Sequence, residues 1–211
     1  MDGFYALFYK NNVLNMKLFT FTSNTYSNAT CFIPSEVINL AFGGSYRKVA
    51  LEDFWNELCT ENIEVQKTEN FELINLEDKD FEVLGFNFFS YTLENQKLYY
   101  VTRREYKNKM VYYETKDGHK QTLTLDHPVI FNDENNIPTL ILAKHITKGL
   151  HIYTYAENSM PYNFNLDEIT NVEYIDNNIN MVYSVETQNE TLITENGIIS
   201  HNCVPIQFKK S

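Results

Sequence analysis

Asn196-Gly197-Ile198-Ile199-Ser200-His201-Asn202-Cys203 is the stretch on which the reading of this chain turns. Asn202 carries a side-chain amide that can attack its own main-chain carbonyl, closing a succinimide and breaking the bond to Cys203. His201 stands one residue away, where an imidazole can polarise that carbonyl or protonate the leaving amine. Cys203 brings a thiol that can hold an acyl group as a thioester. The lead-in is apolar, Leu192-Ile193 and then Ile198-Ile199, and Asn196-Gly197 between them favours a type I′ hairpin turn. The three chemical residues therefore finish a hairpin arm, held by a sheet.

Three further stretches extend this pattern upstream. Cys31 opens Cys31-Phe32-Ile33-Pro34-Ser35-Glu36-Val37-Ile38-Asn39-Leu40. Thr124-Leu125-Asp126-His127 is followed by Pro128-Val129, and Val182-Tyr183-Ser184-Val185 precedes the hairpin. Taken in order, these blocks resemble the splicing motifs of inteins: the first nucleophile, the Thr-x-x-His, the penultimate block and the His-Asn-Cys junction. The resemblance covers residues 31–202. It divides the chain into an N-terminal flank (residues 1–30), a splicing domain (residues 31–202) and a C-terminal flank (residues 203–211).

Composition agrees with a compact β protein. Aromatics reach 15%, with Tyr 15 and Phe 15, which favours strands, and only 7 Gly and 5 Pro argue against a disordered chain. The net charge of −11 speaks against nucleic acid or an anionic membrane as a partner. No apolar run nears the roughly 20 residues of a membrane span, and the N-terminus lacks the pattern of a signal peptide. Three cysteines make no disulfide framework and point to a reducing compartment, so a cytoplasmic location is expected. No paired-ligand spacing of histidines suggests a metal, and no cofactor is expected.

Along the chain, Val13–Thr20 reads as a strand and residues 22–30 as a Ser/Asn/Thr-rich loop. Glu36–Leu40 and Arg47–Ala50 read as strands around a turn at Ala41–Gly44. Leu51, Phe54, Trp55 and Leu58 fall at helical spacing behind Glu52 and Asp53, giving the one clear helix. Cys59 on that helix is expected to pack as a small hydrophobe. Strands follow at Phe81–Phe89, Lys97–Val101, Lys109–Glu114 and Gln121–Leu125, with Asp117-Gly118 as a hairpin turn. The strand ending at Leu125 delivers His127, which the following Pro128 biases away from helix. Further strands are expected at Thr139–Ala143, His151–Ala156 and Glu168–Ile175, with a loop at Asp133–Pro138. The interval from His127 to Val182 is shorter than a typical domain, so the homing endonuclease that many inteins carry there has no room, and the chain resembles a mini-intein.

By resemblance the fold is the all-β, horseshoe-like Hint fold, shared with hedgehog autoprocessing domains, with one short helix. The resemblance also implies the chemistry. Cys31 attacks the carbonyl of Thr30, with His127 protonating the departing nitrogen and Thr124 orienting the scissile peptide. Cys203 takes over the acyl group, Asn202 cyclises with help from His201, and a final rearrangement joins Thr30 to Cys203. The reaction is intramolecular and acts in cis on the chain's own flanks, in a monomer. Two blocks depart from the family pattern. An Asp and a His common in the block around Val182 fall, without gaps, on Ser184 and Thr191. The first block has Pro34-Ser35-Glu36 where Gly-Asp is common, and Thr30 is β-branched, which slows the first acyl shift.

Two rival readings belong beside this one. Cys31, His127 and Asn202 follow the Cys…His…Asn order of papain-like proteases, but the sequence around Cys31 does not start a strong helix. A plain β-rich interaction protein from an AT-rich, phage-like or viral genome explains the Asn, Lys, Tyr and Phe content and leaves the junction pattern as coincidence.

Overall fold

The computed structural model describes residues 4–10, 13–19, 31–156 and 164–202. In chain order the elements are β1 (Phe4–Lys10), β2 (Val13–Phe19), β3 (Val37–Phe42), β4 (Ser45–Ala50), α1 (Leu51–Thr60), β5 (Val65–Lys67), β6 (Glu72–Asn75) and β7 (Phe81–Asn87). Then come β8 (Thr92–Glu105), β9 (Met110–Thr115), β10 (Lys120–Thr124), β11 (Pro128–Asn132) and β12 (Pro138–Leu142). A 3₁₀ turn at Ala143–His145 leads to β13 (His151–Tyr155), β14 (Phe164–Ile175), β15 (Met181–Thr187), β16 (Thr191–Ile193) and β17 (Ile199–His201). The architecture is all-β with one α-helix among the described residues, as the period-two patterning and aromatic content imply.

β1 and β2 form an antiparallel hairpin. One larger sheet runs β4-β3-β7-β8-β6-β5, with β15 also paired to β8; the other runs β10-β9-β14-β13-β11-β12. Two long strands bend these sheets. The first half of β8 pairs with β7, and its second half lies between β6 and β15. β14 pairs first with β13 and then, across a bulge at Ile169–Asn171, with β9. A bulge leaves one residue out of the ladder and turns the strand, so one continuous segment serves two neighbours. Single bridges add to this: Phe32 pairs with both Leu123 and Tyr183, Ile38 with Thr194, and Thr154 with Ile198.

Helix α1 buries Leu51, Phe54, Trp55 and Leu58 and keeps Glu52 and Asp53 in its first turn. Trp55 is fully buried, edge-on to Tyr183 and beneath the Arg103 guanidinium, 4.6 Å from its centroid. Cys59 lies at the flank of that buried face and is exposed, so its expected packing role is corrected: at this helical angle it falls off the apolar stripe. Cys59→Ser is accordingly expected to change the unfolding free energy by no more than about 0.5 kcal/mol in urea titrations.

Turns also refine the sequence reading. The β3–β4 turn is Gly43-Gly44, both left-handed, and Ala41 and Phe42 continue β3. The loop expected at residues 22–30 lies outside the described residues. The Asn196-Gly197 turn is not type I′, which requires positive φ at both central residues. Only Gly197 is left-handed (φ 80°); its N–H bonds Thr194 O at 2.9 Å, and Thr194 N–H bonds Ile198 O at 3.1 Å. Glu195 and Asn196 are thus the centre of an ordinary turn and Gly197 is the bulge residue that restores strand pairing. The resulting register pairs Thr191 with His201, Leu192 with Ser200 and Ile193 with Ile199.

Candidate active site

The site forms where β10, the turn after it, β15 and the β16–β17 hairpin meet. Cys31 enters as a short extended segment anchored on both sides. Its main-chain N–H donates to Thr124 Oγ1 at 3.3 Å, and its carbonyl accepts from Thr124 N–H at 3.3 Å. Next door, Phe32 exchanges two main-chain hydrogen bonds with Tyr183, of 2.7 and 3.0 Å. Cys31 is fully buried and packs with Tyr106, Met110 and Val182. Tyr106 also secures the loop that carries the Thr-x-x-His: its hydroxyl accepts from Leu125 N–H at 3.0 Å and donates to Lys109 O at 3.0 Å.

His127 follows a tight turn, its N–H bonded to Thr124 O at 3.1 Å and its carbonyl to Ala143 N–H at 2.7 Å. The ring is fully buried, edge-on to Phe32 (centroids 4.7 Å apart), with Nε2 3.4 Å from Ser200 Oγ. Burial and the nearby His201 push its pKa down to about 3, while the main chains of Cys31 and His201 pull the other way. The imidazole is therefore neutral near pH 7 and lies beside Cys31 and His201. A neutral ring offers one N–H donor and one acceptor nitrogen, so it can exchange a proton with the groups around it.

At the other end, His201 closes β17 with Nε2 3.5 Å from the Glu190 carboxylate. Asn202 is fully buried. Its N–H donates to Glu190 O at 2.9 Å, its Oδ1 accepts from Thr187 N–H at 3.3 Å, and its Nδ2 donates to Thr187 Oγ1 at 3.2 Å. Ser184 is buried on β15 opposite Thr102. The Thr191 hydroxyl is committed to Phe86, accepting from its N–H at 3.1 Å and donating to its carbonyl at 2.7 Å. Thr30 and Cys203 lie outside the described residues.

Several residues here were not singled out by the sequence. Arg104 hydrogen-bonds the Cys31 side chain and pairs with Asp126 at 3.0 Å. Burial works against its charge, but Cys31 and Asp126 outweigh that and hold its pKa above the usual guanidinium value. Its position follows from strand pairing, since Arg104 is opposite Val182, a neighbour of Cys31. Glu190 could have been found from the hairpin: once Thr191 is placed opposite His201, Glu190 falls beside Asn202. Thr187 and Gln96 carried no such signal.

The chain matches no family model. It is 29% identical over 142 residues to an uncharacterized protein of Methanocaldococcus jannaschii, a match taking in 66% of this chain and 19% of that protein. The chain thus spans about a fifth of that curated relative. Among solved structures, it matches the transcription factor IIB Mvu mini-intein with a TM-score of 0.72 at 19% identity, over 83% of this chain and 100% of that one. An intein from a hyperthermophile matches with a TM-score of 0.71 at 18% identity, over 82% and 99% of the two chains. The KlbA intein precursor from Methanococcus jannaschii matches with a TM-score of 0.71 at 22% identity, over 87% and 96%. The fold of this chain is therefore the all-β fold of the inteins, with one α-helix among the described residues, and at these identities the likeness is one of fold.

Proposed function

We propose that residues 31–202 are a self-excising splicing domain that joins the segment ending at Thr30 to the one beginning at Cys203. The observation that carries this reading is the position of His127, fully buried against Phe32, the neighbour of Cys31, and 3.4 Å from Ser200, the neighbour of His201. A fold whose solved counterparts are inteins supports it, as does the full burial of Cys31, which suits attack on its own preceding peptide bond better than on an external substrate. The domain works in cis, as a monomer, in a compartment that keeps its thiols reduced.

Each step balances in bonds and protons. His127 accepts the Cys31 thiol proton as sulfur bonds to the carbonyl carbon of Thr30. The bond to Cys31 nitrogen breaks, and the proton passes from His127 to that nitrogen. Thr124 Oγ1, which accepts a hydrogen bond from the same nitrogen, fixes its orientation. Cys203 then displaces Cys31 in a thioester exchange. Asn202 Nδ2 bonds to its own carbonyl carbon, the bond to Cys203 breaks, and His201 carries the proton from Nδ2 to the leaving nitrogen. The freed amine of Cys203 takes the acyl group from its own sulfur, leaving a peptide bond.

Intact-mass measurement on freshly expressed, reduced protein tests this. The expected species are residues 31–202 ending in succinimide or Asn, and residues 1–30 joined to residues 203–211. Cys31→Ala should stop the upstream steps, and Asn202→Ala should stop excision and leave a branched thioester. Joined flanks from Asn202→Ala would refute the mechanism.

Arg104 supports the first step by placing a cation at the Cys31 sulfur, where it favours the thiolate. Arg104→Ala is expected to slow thiol-triggered release of residues 1–30 about tenfold at pH 7 and to recover as pH rises. Arg104→Lys should fall between. Rates equal to the parent's from pH 6 to 9 would remove Arg104 from the mechanism.

A further inference from the structure

The polar residues around Asn202 form a hydrogen-bond arrangement in which main-chain donors fix the orientation of both side-chain amides. Gln96, Thr187, Thr191 and Asn202 are all buried. Asn189 N–H, a donor only, points at Gln96 Oε1 at 3.1 Å, so the oxygen of that amide faces residues 187–189. Gln96 Nε2 then faces Thr191 Oγ1 at 3.0 Å. That hydroxyl accepts this bond because its hydrogen goes to Phe86 O. Thr187 Oγ1 lies 3.0 Å from Gln96 Oε1 and 2.9 Å from Thr191 O, two acceptors that draw its single hydrogen away from Asn202. Its lone pair is left facing Asn202 Nδ2–H at 3.2 Å, while Thr187 N–H holds Asn202 Oδ1 at 3.3 Å. The Thr187 hydroxyl is also 3.3 Å from Asn202 Oδ1, which makes that oxygen a third, weaker competitor for the hydrogen.

We propose that Thr187 is a catalytic residue for cyclisation at Asn202, and that Gln96 is the positioning residue that points the Thr187 lone pair at the attacking nitrogen. This rests on the splicing reading and adds the machinery of its third step. An amide nitrogen is a poor nucleophile because its lone pair is delocalised into the carbonyl. As Nδ2 bonds to the main-chain carbonyl carbon it develops positive charge, and an acceptor already bonded to its hydrogen stabilises that charge without reorganisation. The Nδ2 proton ends on the nitrogen of Cys203 by way of His201, and Thr187 keeps its own hydrogen. Thr191 does not take this part, since its hydroxyl is committed to Phe86 and to orienting Gln96. Gly85 belongs to the same device. A β-carbon there would come 2.9 Å from Thr191 O and collide with the Gln96 amide, so only glycine lets β7 pass this close.

The test uses the full chain carrying Cys31→Ala, in which release of residues 203–211 reports Asn202 cyclisation alone. Within it, Asn202→Ala must abolish release; release that persists would overturn the splicing reading itself, independently of any role for Thr187. With that control in hand, Thr187→Val is expected to slow release about tenfold to a hundredfold, and Thr187→Ser to restore it to within about threefold of the parent. Gln96→Leu, which keeps bulk but offers no acceptor, should slow release by a smaller factor. Gly85→Ala, which displaces Gln96, should do the same. Each rate is compared with thiol-triggered release of residues 1–30 in an Asn202→Ala chain carrying the same substitution, where general unfolding would slow both reactions alike. A selective loss at the C-terminal junction with rescue by Ser supports the proposal. It is overturned by a Val variant as fast as its parent or faster, by Ser and Val slowing equally, or by equal losses at both junctions.

Discussion

His127→Ala should slow thiol-triggered release of residues 1–30 about 10²- to 10⁴-fold, the range that a positioned acid–base group contributes. The size reflects the work of the ring. In the proposed first step it receives a proton from sulfur and returns it to nitrogen, in a pocket sealed by Phe32 and closed to solvent that could substitute for it. The pH profile separates this role from simple packing. A solvated imidazole would lose its basic form below about pH 6.5. With its pKa held near 3, His127 stays a base at every pH where the protein is handled, so the release rate should show no inflection from this residue between pH 5 and 7. An inflection near 6.5 that disappears in His127→Gln would mean that the ring titrates as if exposed, and the proton route through it would have to be abandoned. Because removing the ring leaves a cavity beside Phe32, the Gln variant is also the control for packing.

How far the sequence reached depended on whether a residue's partner was local. The α1 stripe was legible because Leu51, Phe54, Trp55 and Leu58 declare one face by spacing alone. His127 was legible because a strand end before Pro128 is a fixed, non-helical place. Cys59 misled because an apolar neighbourhood in sequence says nothing of helical angle. Asn196-Gly197 announced a turn, but turn type is set by the φ of both central residues, and that depends on the bulge at Gly197. Arg104 sits in Thr102-Arg103-Arg104-Glu105, which reads as the solvated end of a strand; only the pairing of β8 with β15 carries it to Cys31. Gln96 lies in the polar run Glu94-Asn95-Gln96-Lys97, yet it is fully buried. Its environment is made by β7, the strand just before its own, and by β16 and the turn before β16, which lie more than 90 residues further along the chain. The residues proposed to act at the two junctions thus stand in order along the chain, while the groups packed around them come from strand pairing.

Glu36→Gln should stabilise the fold by about 3 kcal/mol at pH 8 and by almost nothing at pH 4.5. Glu36 is buried; desolvation and repulsion from Glu195 push its pKa up to about 7 from 4.5, while the Gln121 side chain pulls it back. Below pH 4.5 the carboxyl is protonated whether the chain is folded or not, and burying it carries no ionic cost. As pH rises the unfolded chain ionises first, so stability drains away until the folded carboxyl follows near pH 7. His127 works in the opposite sense. Its folded pKa lies below its unfolded one, so stability is intact above about 6.5 and falls as acid protonates only the unfolded chain, by about 5 kcal/mol at pH 3. Between pH 4.5 and 6.5 the two slopes cancel, and the parent's stability should be nearly flat there. Removing Glu36 exposes the His127 slope: the Gln variant should lose about 1.4 kcal/mol per pH unit on acidification across that same window. Urea titrations from pH 4.5 to 8, on chains carrying Cys31→Ala and Asn202→Ala so that nothing is cleaved, measure both curves. Parallel curves for parent and variant would show that Glu36 ionises normally in the fold, and the buried carboxyl would have to be solvated by a route other than Gln121.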